Sequence, residues 1–256
     1  MPTLELKQKR IFYTRQPGRS HGPTLLLIHG AGGTHLTWPL ELRRFAEAVV
    51  ITLDLPGHGR SQPPARTDIT DYADDVAAVI DALQLENVIV VGHSMGGAIA
   101  QTLALRHRDK VAGLVLIGAG ARLPVSDAIL GQALTDFPAA VAFITRYSWA
   151  KNTPSALVAD GREIMLNTDP TVLYGDFVAC NRFNVMERLP QIRVPTLVIA
   201  GTDDKMTPHK FGRYLADHIS QANLLTLDGA GHMMMLEQPG PVTAAIAVFL
   251  RRYFGG

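Results

Sequence analysis

The sequence predicts an α/β fold: a doubly wound, mostly parallel, eight-stranded sheet with an inserted helical cap. Three observations carry this expectation. From residue 24 onward, short and almost wholly apolar runs at 24–28, 49–53, 88–91 and 113–117 alternate with helical patterns, the rhythm of parallel strands joined by crossover helices. Residues 121–188 then hold helical patterns with no strand among them, before the buried-strand pattern returns at 194–200. Finally, the 88–91 run breaks at Gly92-His93-Ser94-Met95-Gly96 and turns directly into a helical pattern reaching His107.

Composition bounds the function classes. At 256 residues with 47% apolar and 18% charged content, the chain can bury a large core and is not a disordered polymer. A net charge of +1 without any basic stripe gives no footprint for nucleic acid. Cys180 is the single cysteine, which excludes an internal disulfide and a cysteine-based metal cluster. It falls in an apolar helical stretch, where a thiol is inert. The first ten residues offer no apolar core for a leader, and no 18-residue apolar run follows. The expectation is a soluble, cytoplasmic protein, monomer or homodimer, with no membrane partner, cofactor or metal.

Taken in order, residues 3–16 alternate weakly and read as one or two edge strands, with turns at Arg15-Gln16-Pro17-Gly18 and His21-Gly22-Pro23. The 24–28 strand meets the glycine-rich His29-Gly30-Ala31-Gly32-Gly33. This is neither G-x-G-x-x-G nor followed by G-K-[ST], so a nucleotide phosphate loop is not expected. Residues 38–48 read as a helix before the 49–53 strand. Asp54-Leu55-Pro56-Gly57-His58-Gly59-Arg60-Ser61 reads as a structural turn with its polar groups satisfied. Residues 68–85 form an amphipathic pattern, with Tyr72, Val76, Val79, Ile80 and Leu83 on one stripe. Within 121–188, Pro124, Pro138, Pro154 and Pro170 break the helices, and acidic and basic residues nearly cancel. An all-helical insertion cannot lie within the sheet, so it is expected over the carboxyl edge, where Ser94 sits. The core is therefore 1–120 and 189–256, and the cap 121–188. The last strand is read at 224–227 and a closing helix at 241–254.

The strand–Ser94–helix turn is a G-x-S-x-G sequence. Side chains at positions 92 and 96 would collide as such a turn closes, and the serine is forced into an uncommon backbone conformation at a helix N-terminus. With His29-Gly30-Ala31-Gly32 and Asp54-Leu55-Pro56-Gly57-His58-Gly59-Arg60-Ser61, this resembles the α/β-hydrolase family along essentially the whole chain. The resemblance implies the α/β-hydrolase fold and a nucleophile elbow at Ser94. It also implies an acid and then a histidine later in the chain, and an oxyanion hole from the backbone N–H groups of Ala31 and Met95. Of nine histidines, His232 alone follows the final strand, in Gly229-Ala230-Gly231-His232. The acid lies in Gly201-Thr202-Asp203-Asp204, where the family pattern aligns Asp204 and the neighbouring Asp203 is the alternative. Gly32, His35 and Met233 are candidate substrate contacts. The Met233-Met234-Met235 run either packs beneath the cap or lines an acyl pocket.

The chemistry implied is a Ser94–His232–Asp204 acyl-enzyme mechanism on carboxylic esters of small to medium apolar substrates. Phe137, Phe143, Tyr147, Trp149 and Phe177 in the cap favour an apolar acyl group. The same frame resembles enol-lactonases, C–C hydrolases, cofactor-free haloperoxidases or perhydrolases, and a menaquinone-pathway lyase. From another class, it resembles non-turnover receptors for small molecules.

Overall fold

The computed structural model describes residues 2–6, 9–19 and 22–255; His21, where a turn is expected, lies outside them. The chain opens with β1 (Thr3–Leu6), β2 (Lys9–Gln16) and β3 (Thr24–Ile28). It continues through α1 (Leu40–Arg43), β4 (Val49–Leu53), α2 (Ile69–Ala82), β5 (Val88–His93), α3 (Met95–Arg106) and β6 (Gly113–Ile117). Four helices follow: α4 (Asp127–Thr135), α5 (Phe137–Ser148), α6 (Ser155–Leu166) and α7 (Pro170–Arg182). The last elements are β7 (Thr196–Gly201), α8 (His209–His218), β8 (Ala222–Leu227), α9 (Met234–Glu237) and α10 (Pro239–Phe254).

The eight strands form one sheet in the order β1-β2-β4-β3-β5-β6-β7-β8. β1 and β2 pair antiparallel at one edge, and from β4 to β8 every pairing is parallel. Period-2 alternation sends Leu26, Ile28 and Val90 to the face covered by α2 and α3, and Leu25, Leu27, Ile89 and Val91 to the face covered by α1 and α10. Both faces are thereby buried, which is why the strands read as continuous apolar runs. Among the described residues no helix is long and apolar enough to cross a membrane.

Capping explains most boundaries. Asp68 begins α2 by accepting the Thr70 N–H, and Asp136 and Asp169 do the same for α5 and α7. The prolines at 138, 154 and 170 stand at helix starts rather than breaking helices. The helix expected over 38–48 is one short turn instead. Pro39, extended at φ −63°, ψ 154°, can only precede a helix, and α1 ends at Arg43 because the chain must reach β4 by residue 49. Trp38, Leu42 and Phe45 still face the same core, which gave the stretch its helical spacing. The insertion leaves and rejoins the core at one point, where Arg122 bridges Asn184 and the Val185 N–H reaches the Ala121 carbonyl at 2.8 Å.

Candidate active site

The site is built first by the turn between β5 and α3. Ser94 has φ 53° and ψ −116°, a conformation costly for any residue with a side chain. The turn is that tight because backbone passes backbone: a Cβ on Gly92 would lie 2.2 Å from the Gly96 oxygen, and one on Gly96 2.1 Å from the Ile28 oxygen. Only glycine fits either position. Ser94 is thereby held at the start of α3, where backbone N–H groups and the helix dipole favour negative charge.

The loops after β7 and β8 bring Asp204 and His232 together. The His232 Nδ1–H donates to Asp204 Oδ2 at 2.9 Å, and both residues are buried. Asp204 also accepts the Met206 and Thr207 N–H groups and the Thr207 hydroxyl. Burial alone would raise this carboxyl; the charge and hydrogen bond of His232, with those of Thr207, outweigh it and hold it below the ordinary carboxylate range. In the neutral ring, whose one proton Nδ1 gives to Asp204, Nε2 carries the lone pair. The neighbouring Asp203 is exposed.

Ser94 and His232 line one cavity of about 250 Å³ beneath the inserted helices. Ala31, Gly32, Leu36, Thr37 and Met233 contribute from the core side, and Ile144, Leu157, Ile164, Met165 and Phe177 from the helices. Among the described residues, Asp160, on α6, is the one carboxylate in this lining, which contains no lysine or arginine. The methionine run divides: Met233 faces the cavity, whereas Met234 and Met235 are fully buried in the core. Of the aromatic residues in the insertion, Phe177 alone reaches the cavity. Trp149 packs so closely on Gly161 that a Cβ there would lie 2.5 Å from its ring.

His35 does not line the cavity. Its backbone N–H and Nδ1–H both go to Asp54 Oδ1, at 2.6 and 2.9 Å, and its ring lies 4.9 Å from that of Phe12. Asp54 also takes the Arg60 N–H, and its carbonyl accepts the Ser61 hydroxyl, which closes the 54–61 loop on itself. Gly32 lines the cavity, but its N–H is committed to Asp176 at 2.9 Å and is not free for a substrate.

Three supporting residues escape a reading of spacing alone. His93, next to Ser94, does not point away from the site: its Nε2–H donates to the His232 carbonyl at 2.9 Å, with the two rings 4.7 Å apart. Burial and the nearby His232 depress it to about 3, so it stays neutral. Glu237 accepts the Gly231 N–H at 2.7 Å and the Ala150 N–H at 3.4 Å, tying the His232 loop to the insertion, and burial pushes its carboxyl up. The third is Asp176. It is a charge within the buried stripe of α7, among Val172, Leu173, Phe177, Ala179 and Cys180, and that misplaced charge is its sequence signal. Burial and Asp176 together push the Cys180 thiol up, away from thiolate.

The model of the alpha/beta hydrolase family matches residues 25–246. The chain belongs to that family. A curated relative in the family, the pimeloyl-[acyl-carrier protein] methyl ester esterase of Neisseria meningitidis, is 32% identical over 233 residues, covering 82% of this chain and 86% of its own. The 3-oxoadipate enol-lactonase 2 of Acinetobacter baylyi is 27% identical over 252 residues, covering 92% and 91%. Among solved structures, Est816, described as an N-acyl homoserine lactone degrading enzyme, superposes with TM-score 0.86 at 28% identity, covering 97% of this chain and 100% of its own. This alpha/beta hydrolase thus has relatives named for cleaving open-chain and cyclic esters.

Proposed function

We propose that the protein hydrolyses carboxylic esters of small to medium apolar acids through an acyl-enzyme on Ser94. His232 Nε2 takes the serine proton as Oγ attacks the carbonyl carbon, then returns it to the departing alcohol. Asp204 fixes the tautomer and stabilises the imidazolium. The N–H groups of Ala31 and Met95 hold the oxyanion, the latter assisted by the α3 dipole. Water repeats the sequence to release the acid. Residues 121–188 act as a cap that closes the acyl pocket. The observation carrying this reading is the Asp204–His232 pair, whose histidine lines one largely apolar cavity with Ser94 at its strained turn.

The cavity also sets the scale of the acyl group. An apolar cavity of ~150 Å³ accommodates benzene; one of about 250 Å³ holds a short or medium chain. Sustained turnover of p-nitrophenyl esters from acetate to palmitate tests this, with kcat/KM expected to climb over the shortest acids and fall at long ones. A stoichiometric burst with no turnover would identify a receptor instead, and a maximum at palmitate would overturn the acyl class.

Lactone hydrolysis is the second reading, favoured by the relatives named for it. The same groups would open a cyclic ester, leaving the alcohol tethered to the acyl chain. With Asp160 as the single carboxylate of the lining and no basic residue there, neutral lactones fit and carboxylated ones do not.

A further inference from the structure

We infer that Asp176, contributed by the inserted helices, is a positioning residue that sets the oxyanion loop, so that the insertion completes the site as well as covering it. The inference rests on the reading of Ala31 as an oxyanion donor.

The argument begins with peptide geometry. In a trans peptide the C=O and the following N–H point in opposite directions, so fixing one aims the other. The Gly30 carbonyl accepts the His29 Nδ1–H at 2.8 Å and the Gly33 N–H at 3.1 Å. Those two bonds turn the Ala31 N–H the other way. His29 can only donate through Nδ1, because its Nε2 accepts the Leu55 N–H at 3.0 Å. The peptide before Ala31 is thus fixed from within the core.

The peptide after Ala31 is fixed from the insertion. Its N–H, that of Gly32, goes to Asp176 Oδ2, and the Gly32 carbonyl, on the next peptide, accepts the Thr168 hydroxyl at 3.1 Å, so both peptides of Gly32 are tied to the insertion. Gly32 sits at φ +62°, and a Cβ there would lie 2.7 Å from Leu173 Cδ1 and 3.3 Å from Met165 Cγ. Helices α6 and α7 and the turn between them therefore enclose this one residue. With the peptides on both sides held, the two torsions of Ala31 cannot change without breaking one set of bonds.

Asp176 is itself held rigidly. Its Oδ2 also accepts His58 Nε2–H at 2.7 Å and its Oδ1 accepts the Tyr72 hydroxyl at 2.6 Å. The other ring nitrogen of His58 faces the Pro56 carbonyl at 3.1 Å, so both nitrogens donate and the ring is an imidazolium. A fully buried ion pair with both carboxylate oxygens engaged is thus aimed at a loop whose backbone the reaction needs. Anchoring the insertion alone would require the His58 and Tyr72 bonds but not the one to Gly32.

The test is the rate at which a fluorophosphonate labels Ser94, which needs the oxyanion hole but no knowledge of the natural substrate. In that reaction Ser94 Oγ bonds to phosphorus, fluoride leaves, and the serine proton passes to His232. An unlabelled wild type would overturn the serine-hydrolase reading itself, and this inference with it. Given labelling, Asp176→Leu, verified as folded by its thermal transition, is expected to react about 10²-fold more slowly, the scale of a misplaced oxyanion donor. With a p-nitrophenyl ester the loss should fall on kcat while KM stays within about twofold. Asp176→Asn keeps an oxygen for the Gly32 N–H and should recover most of the rate. Thr168→Val, which removes a hydroxyl without burying a charge, should slow labelling about fivefold, and it decides the matter where Asp176→Leu does not fold. Labelling within about threefold of wild type in folded Asp176→Leu, an Asn variant as slow as Leu, or an unchanged Thr168→Val would each overturn the inference.

Discussion

A serine hydroxyl is a weak nucleophile, and in the mechanism proposed what the protein adds at Ser94 is position: a strained φ, a helix N-terminus and a histidine oriented through its other nitrogen. These parts act as a unit, so Ser94→Ala is expected to lower kcat by about 10⁶ with the fold intact. Asp204→Asn should cost about 10⁴, because an amide at 204 favours the wrong imidazole tautomer. Asp203→Asn, one residue away but facing solvent, should leave the rate within about twofold. Steady-state kinetics on one ester checks all three, and damage from Asp203→Asn in place of Asp204→Asn would reassign the acid. These residues are legible in the sequence because each sits in a short motif beside a strand end. His93 and Glu237 are not, since their roles lie in hydrogen bonds to the backbone of other segments. His35 differs for a related reason: its position after the glycine-rich loop suggests the cavity, whereas it lies outside the lining and bonds to Asp54.

At the scale of elements, hydrophobic period and capping locate the strands and most helices, and they fail where tertiary demand cuts an element short. The spacing of Trp38, Leu42 and Phe45 is helical, yet entry into β4 leaves room for one turn only. In the proposed function, α6 sets what the cavity accepts. It presents Leu157, Ile164 and Met165 as apolar wall and Asp160 as the single charge. A carboxylated acyl group would meet Asp160 with no cation to offset it. Coulomb repulsion at the hydrated edge of such a site amounts to about a kcal/mol. The ratio of kcat/KM for a neutral ester over its ω-carboxylated counterpart is therefore expected to fall about fivefold in Asp160→Asn, and further in Asp160→Lys. Discrimination that is unchanged in both variants would mean that α6 does not set the charge preference.

For the whole molecule, the doubly wound sheet is legible because each strand announces its own burial, but the network through its centre is not. Gly32 and Asp176 are 144 residues apart, and His58 and Asp176 are 118 apart, so no local window contains either pair. The buried histidines make stability depend on pH in both directions. His29 and His93 are buried neutral and depressed to about 4 and about 3, chiefly by burial. Between their unfolded value of 6.5 and those native values, the unfolded chain binds protons that the native one refuses. Stability should therefore fall as pH drops below about 6.5, by up to ~1.4 kcal/mol per pH unit for each histidine. His58 acts oppositely. Burial would lower it, but the charge and hydrogen bond of Asp176 prevail and raise it above 6.5. The native state thus keeps a proton that the unfolded chain loses, and stability declines as pH rises from 6.5 through the native value. The expected profile of urea unfolding free energy is a maximum near pH 6.5 with losses on either side. Replacing His93 by Gln, which can still donate to the His232 carbonyl, should flatten the acid limb by about one proton and leave the alkaline limb unchanged. An acid limb equally steep in wild type and His93→Gln would show that His93 is not neutral in the native state.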